Sequence, residues 1–291
     1  MTTPFPLTPL TDSLLLHQID LATYLRLLNE GRDMTDFFQQ LTNAVSNEGQ
    51  RVVHLWEDVR RQKPAVVASR LAALRGESVR VPGRLTQARR IDKATALAFL
   101  AEHHLQVPLP GKVRYGLFLP QRYFRVLPPT YRAGLTHRAD RPANEPDADL
   151  LLAVATFAQP RHLQRDGQPH RSAELLRVAS RINTTVVGGL DKLLTTYLKN
   201  HPADDLMTYA DRDWSDGASY RRLGFEAVDD TPPQRFWLWP DEGIRYYENA
   251  LPGGVTEANA RSLGYVPVFN AGSRKFVRKV EKGERKREKE C

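Results

Sequence analysis

Cysteine is nearly missing from this 291-residue chain, whose single copy is Cys291. That excludes an intrachain disulfide and a zinc site built on cysteine pairs, and it fits a reducing compartment. Long apolar runs are missing too: no stretch approaches the ~18 to 20 residues that span a bilayer. The opening MTTPFPLTPLTD carries neither the basic nor the apolar region of a signal peptide. A cytoplasmic protein with no membrane partner is the expectation. With 41% hydrophobic and 26% charged residues, disorder of the whole chain is excluded as well. The length leaves room for one large domain or two modest ones.

What the chain does have is unevenly placed charge. The formal net charge is +8, but residues 1–50 carry −4, residues 51–200 carry +13, residues 201–250 carry −6 and residues 251–291 carry +5. A basic middle and tail around an acidic stretch suits an anionic partner held near a charged site, and solvated helix faces give the same counts.

Apolar spacing divides the chain into an N-terminal helical region (1–50), an α/β region (51–272) and a basic tail (273–291). In the first, Leu14, Leu15, Ile19, Leu21, Leu25 and Leu28, then Phe37, Phe38, Leu41 and Val45, recur at helical spacing and predict two helices. In the second, a strand through Val53 and Leu55 precedes a helix from about Pro64 to Leu74. Strands near 84–91, 114–119, 151–158, 174–180 and 205–211 then alternate with helices over Asp92–His103, Gly189–Leu198 and about Ser219–Leu223. This is an α+β pattern with a mixed sheet. Residues 120–149, with five prolines and five arginines, read as a long loop or arm. The tail from Ser273 reads as a solvated helix or a disordered basic arm.

Adjacent Gly188 and Gly189, between a β-branched run and an amphipathic helix, let backbone amides approach an anion at the helix start, although tight packing is the commoner use of such a pair. Downstream, Tyr220-Arg-Arg-Leu-Gly224-Phe225 resembles the Tyr-x-x-x-Gly-Phe helix end of the GNAT-like acyltransferase family. The order strand, turn, helix, strand, helix is that of its core. The resemblance implies a GNAT-like fold with an acyl-CoA or related thioester donor. Its phosphate would rest on the amides of Val187, Gly188, Gly189, Leu190 and Asp191, and Tyr220 would protonate the leaving thiolate. The turn departs from the family in having adjacent glycines and no Arg or Gln at its head.

From about Val52 to Val277 the succession of blocks is similar to a GNAT-like domain found C-terminal to homing-endonuclease modules in phages and bacteria. Glu174-Leu-x-Arg177-Val-Ala179, with Ala210-Asp211 and Asp216-Gly217-x-x-Tyr220, looks like the phage Mom DNA-modification family. Both imply nucleic acid, chiefly DNA, as partner, in a phage or mobile-element setting. Asp211 or Glu174 would then serve the acceptor amine and Arg177 an anionic group. Arg122, Arg125, Trp214, Lys275 and Arg278 would contact nucleic acid.

Plainer readings stand beside these. Glu174 and Arg177 fall on opposite sheet faces unless a bulge intervenes. Asp211, Asp213 and Asp216 could suggest a divalent cation but suit turns and caps equally, and no metal is expected. Trp214 suits packing as well as stacking. The reading is therefore a GNAT-like transferase acting on nucleic acid. Its rivals are a non-catalytic DNA-binding domain and an ordinary acyl-CoA-dependent N-acyltransferase.

Overall fold

The chain begins with a β-hairpin rather than a helix. β1 (Leu7–Thr11) and β2 (Leu14–Ile19) pair antiparallel, and β3 (Arg51–Trp56) runs parallel to β2 on its other edge. This corrects the helical reading of Leu14, Leu15 and Ile19. A short Leu-rich run fits both periods, and here the parallel partner decides, because every β3 residue after Arg51 is buried and β2 completes its ladder. The two expected helices do follow, as α1 (Leu21–Asn29) and α2 (Phe37–Asn47). Asp20 starts α1, its carboxylate accepting the Thr23 amide at 2.7 Å.

This computed structural model describes residues 3–136, 149–165 and 167–281. The described chain is a mixed α/β protein with several sheets. It divides into two compact units, Met1–Val67 with Tyr209–Phe276 (unit 1) and Ala68–Thr208 with Val277–Cys291 (unit 2), so the sequence boundaries at 50 and 272 do not coincide with these units.

After β3 come α3 (Glu57–Gln62) and α4 (Pro64–Leu74). Pro64 opens α4 where its missing N–H is no loss, and Gly76 follows in the left-handed region at φ +81°. Unit 2 then contains β4 (Val79–Pro82), β5 (Gln87–Arg90), α5 (Lys93–His103), β6 (Val113–Leu119), α6 (Pro129–Thr136) and β7 (Leu150–Phe157). They are followed by β8 (Arg161–Arg165), β9 (Gln168–Ser180), β10 (Thr184–Val187), α7 (Gly189–Asn200) and β11 (Asp205–Asp211), whose last residues enter unit 1.

The unit 2 sheet orders its strands β5-β6-β7-β9-β11, with β8 also paired to β9. All its neighbours are antiparallel except β9 and β11, which are parallel from Ser172↔Asp205 to Leu175↔Thr208. Beyond Leu175, β9 continues to Ser180 in register with β7. A separate parallel ribbon joins β4 to β10. Asp92 caps α5 through the Thr95 amide at 2.7 Å, and the helix packs Ala96, Phe99 and Leu100 against Val154 and Ala179.

In unit 1 the chain resumes with α8 (Ala218–Arg221), β12 (Glu226–Asp230), β13 (Arg235–Trp239), β14 (Ile244–Tyr246), α9 (Glu257–Ala260), β15 (Val266–Phe269) and β16 (Ser273–Lys279), whose residues from Val277 on belong to unit 2. The antiparallel sheet β14-β13-β15 closes on the N-terminal segment. Its Leu238 and Val268 share one core with Phe5, Ile19, Tyr24, Phe38 and Trp56, and the Tyr24 hydroxyl donates to Pro267 O at 3.0 Å.

Two further expectations change. Residues 273–279 form β16, not an arm or helix, because buried Phe276 anchors them. The basic run that follows, 282–291, lies outside the described residues, as do 137–148 of the Pro/Arg-rich segment, whose described start forms a 3-10 turn (Gln121–Val126) and α6.

Candidate functional site

In unit 2, β10 ends at Val187 and α7 begins at Gly189, with Gly188 between them at φ +75°. The turn is braced from one side. A Cβ at Gly83 would sit 2.7 Å from Val187 O and 3.3 Å from Gly189 N, so only glycine lets this backbone approach. Lys192, one turn into the helix, donates from Nζ to Gly83 O at 3.1 Å and to Thr86 O. Gly188 and Val187 are exposed, Leu190 is half-buried, and exposed Asp191 brings its own negative charge to the helix start. Val187, Gly188 and Asp191 are thus the exposed positions of this turn, Gly189 is buried within it, and the Lys192 ammonium lies on its braced flank.

On β9 a bulge intervenes. Thr156 and Phe157 of β7 pair with Arg177 and Leu175, which leaves Leu176 as the extra residue. One extra residue reverses the alternation, so Glu174 and Arg177 share a face of the sheet. The Arg177 guanidinium donates to Leu176 O at 2.8 Å and Val107 O at 3.2 Å, and Glu174 is half-buried.

The unit 1 candidates serve their own turn. Asp211 Oδ1 accepts the Asp213 amide at 3.0 Å, and Asp216 Oδ1 accepts the Ala218 amide at 3.2 Å. Asp213 is buried and accepts the Ala271 amide at 2.7 Å. Burial, then the charge of Asp211, pushes Asp213 well above the usual carboxylate range. Each of the three acids thus serves a different backbone amide. The Tyr220 ring packs against Phe225 and Phe276, with centroids 5.7 and 5.6 Å away. Trp214 is buried at 6% exposure, which corrects its assignment as a stacking platform for a base.

The same turn closes a cavity that sequence reading missed. Arg51, Arg212, Arg274, Thr42, Ser46, Ser215 and Asp216 line about 30 Å³. Arg212 is 5% exposed and donates to Asn43 Oδ1 at 2.5 Å, with Asp230 3.2 Å from its guanidinium. Arg274 grips Asp230 with two bonds of 2.6 and 2.7 Å, and these bonds hold the Asp230 carboxyl below its ordinary pKa. Arg51 and Arg221 approach Asp216 at 3.9 and 3.5 Å.

Behind Thr42 runs a buried chain of hydrogen bonds. Thr42 Oγ1 lies 2.8 Å from His54 Nε2, His54 Nδ1 lies 2.9 Å from His17 Nδ1, and His17 Nε2 lies 2.8 Å from Thr3 Oγ1. Burial pulls His17 down to about 4 and His54 well below the ordinary histidine range. Buried Asp58 meanwhile accepts two bonds from Arg245, at 2.5 and 2.9 Å, and that guanidinium lies 4.5 Å from the Trp56 ring centre. No sequence spacing announces any of these groups, since each joins segments far apart in the chain.

The remaining nucleic-acid candidates are dispersed. Arg122 and Arg125 are exposed on one 3-10 turn of unit 2, their guanidinium centres 5.0 and 5.8 Å from the Tyr123 ring centre. Lys275 and Arg278 are half-buried on β16, Lys275 in unit 1 and Arg278 in unit 2. His103 is a core residue, edge-on to Phe99 at 4.3 Å. Among the described residues no three His, Cys, Asp or Glu side chains converge as a metal site, and no helix is long and apolar enough to cross a membrane.

No protein-family model matches the chain, and no curated protein matches it. Among solved structures it is similar to a conserved Enterococcus faecalis protein of unknown function, described as a probable N-acyltransferase. The identity is 13% and the TM-score 0.31, over 54% of this chain and 36% of that one. It is also similar to a chain of a KacTA-DNA complex, with 18% identity and a TM-score of 0.27, over 50% of this chain and 88% of that one.

Proposed function

We propose that the chain is a GNAT-like transferase whose donor half lies in unit 2, and that its acceptor is an amine carried by nucleic acid, with a DNA base foremost. One observation carries the reading: parallel β9 and β11 flank, in sequence, a Gly-Gly turn that opens α7, with Gly188 exposed and Gly189 buried. Amides at such a helix start attract phosphate, as the head of an acyl-CoA or a related thioester requires. The bulge at Leu176 adds to it by bringing Glu174 and Arg177 to one face. In the transfer, the amine nitrogen bonds to the thioester carbonyl carbon and the C–S bond breaks. The thiolate leaves and Glu174 takes the amine's proton.

Calorimetry with acetyl-CoA tests the donor half. The wild-type protein is expected to bind, and Gly188→Asp, which adds a carboxylate in open space at the helix start, is expected to abolish binding without unfolding the protein. Failure of the wild type to bind acetyl-CoA overturns the acyl-CoA reading. Mass spectrometry of nucleosides from cells expressing wild-type or Glu174→Gln protein tests the acceptor, and identical profiles count against a DNA base.

A second reading, a non-catalytic DNA-binding domain, is favoured by the turn-closing bond of Asp211 and the aromatic packing of Tyr220. It predicts DNA binding that falls steeply with salt and is unchanged by Glu174→Gln.

A further inference from the structure

We propose that the unit 1 cavity bounded by Arg51, Arg212 and Arg274 binds the dianionic head of a phosphate monoester. The first argument is charge. Four guanidiniums, those of Arg51, Arg212, Arg221 and Arg274, share two carboxylates, Asp216 and Asp230. The charge of buried Asp213 also acts on Arg212, and the four guanidiniums still outnumber the acids around them, which leaves net positive charge for a phosphate to meet. The second is donor geometry. Arg212 is almost fully buried, yet Asn43 and Asp230 engage only part of its five-donor fork. Arginine forks suit phosphate oxygens.

The third argument is size. A cavity of about 30 Å³ holds roughly two oxygen-sized centres, so it takes part of a phosphate head and leaves the ester group outside. The fourth is the hydroxyl lining of Thr42, Ser46 and Ser215. The chain behind Thr42 has two self-consistent directions. In one, Thr3 donates to His17, His17 to His54 and His54 Nε2 to Thr42, which releases the Thr42 proton toward the cavity. An anion in the cavity selects that direction.

The site is independent of the transferase reading, and its test is too. Inorganic phosphate is titrated into the full-length protein by calorimetry, with chloride held constant. Saturable binding is expected. Arg51→Gln removes a partly exposed guanidinium that lies 3.9 Å from Asp216, and should weaken binding about tenfold. Asp216→Asn keeps an oxygen for the Ala218 amide but removes a negative charge, and should tighten binding severalfold. Opposite signs from these two variants are what a merely structural role does not produce.

No saturable binding up to ~10 mM phosphate, or an affinity that neither variant changes, overturns the proposal. A nucleoside monophosphate and a 5′-phosphorylated oligonucleotide, each against its unphosphorylated form, then separate a free metabolite from a nucleic-acid end as the source of the group. Gly188→Asp should leave phosphate binding intact, so failure of this site and failure of the donor site are distinguishable.

Discussion

His17 and His54 stand opposite each other in the parallel register of β2 and β3, with their Nδ1 atoms 2.9 Å apart. One ring must donate and the other accept, so the accepting ring is neutral, and with burial holding both rings neutral the two take opposite tautomers. It lies among Phe5, Phe37 and Phe38, where a charge has no water to replace its lost hydration.

Stability should therefore depend on pH in a defined window. The folded-state pKa values are depressed, so the contribution is fully present above the unfolded value of about 6.5 and is lost as pH falls below it. With His17 at about 4, the loss at pH 5 is about 2 kcal/mol from this residue alone. Urea unfolding midpoints between pH 7.5 and 5 measure it. In the His17→Leu/His54→Leu double variant the slope should flatten, and an unchanged slope would place the pH dependence elsewhere.

Two left-handed glycines should respond very differently to alanine. Gly217 has φ +81° and a Cβ there would lie 2.1 Å from Phe276 Cζ, a ring fully buried and unable to yield. Gly188 has φ +75° with nothing within 4 Å. Gly217→Ala should cost about 3 kcal/mol or more, since strain and overpacking add, whereas Gly188→Ala should cost about 1 kcal/mol. Equal losses in urea unfolding would mean that Phe276 moves aside.

Arg245 neutralises Asp58 inside unit 1, and removing only one partner strands a buried charge. Arg245→Met should cost about 3–5 kcal/mol, while Asp58→Asn in the same chain should restore a good part of it. A double-mutant cycle by chemical denaturation gives the coupling. Near-additive losses would show the two groups to be independent.

Legibility varied with how local the determinant was. The bounds of α4 and the start of α5 could be read directly, because Pro64 and Asp92 act within their own first turns. The glycine pair and the β9 segment were visible too, as was the need for a bulge between Glu174 and Arg177. Leu14 to Ile19 misled because apolar spacing over six residues does not separate strand from helix until a partner is known. The Asp211 to Tyr220 run stood out as a pattern, but not that Asp211 would close its own turn or that Trp214 would be buried. Arg51, Arg212 and Arg274 share no spacing at all, and only the fold brings Arg51 to one cavity with residues more than 160 positions further on.

The two-segment make-up of unit 1 bears on how the protein is made. Tyr24, Phe38 and Trp56 leave the ribosome early, but Leu238, Val268 and Ala271, which complete their core, are translated some two hundred residues later. Through most of synthesis the nascent N-terminal segment carries apolar surface whose cover does not yet exist, a state that invites chaperone capture or aggregation. A stop codon anywhere before about residue 238 leaves that surface bare, so the N-terminal segment is not a fragment to express by itself.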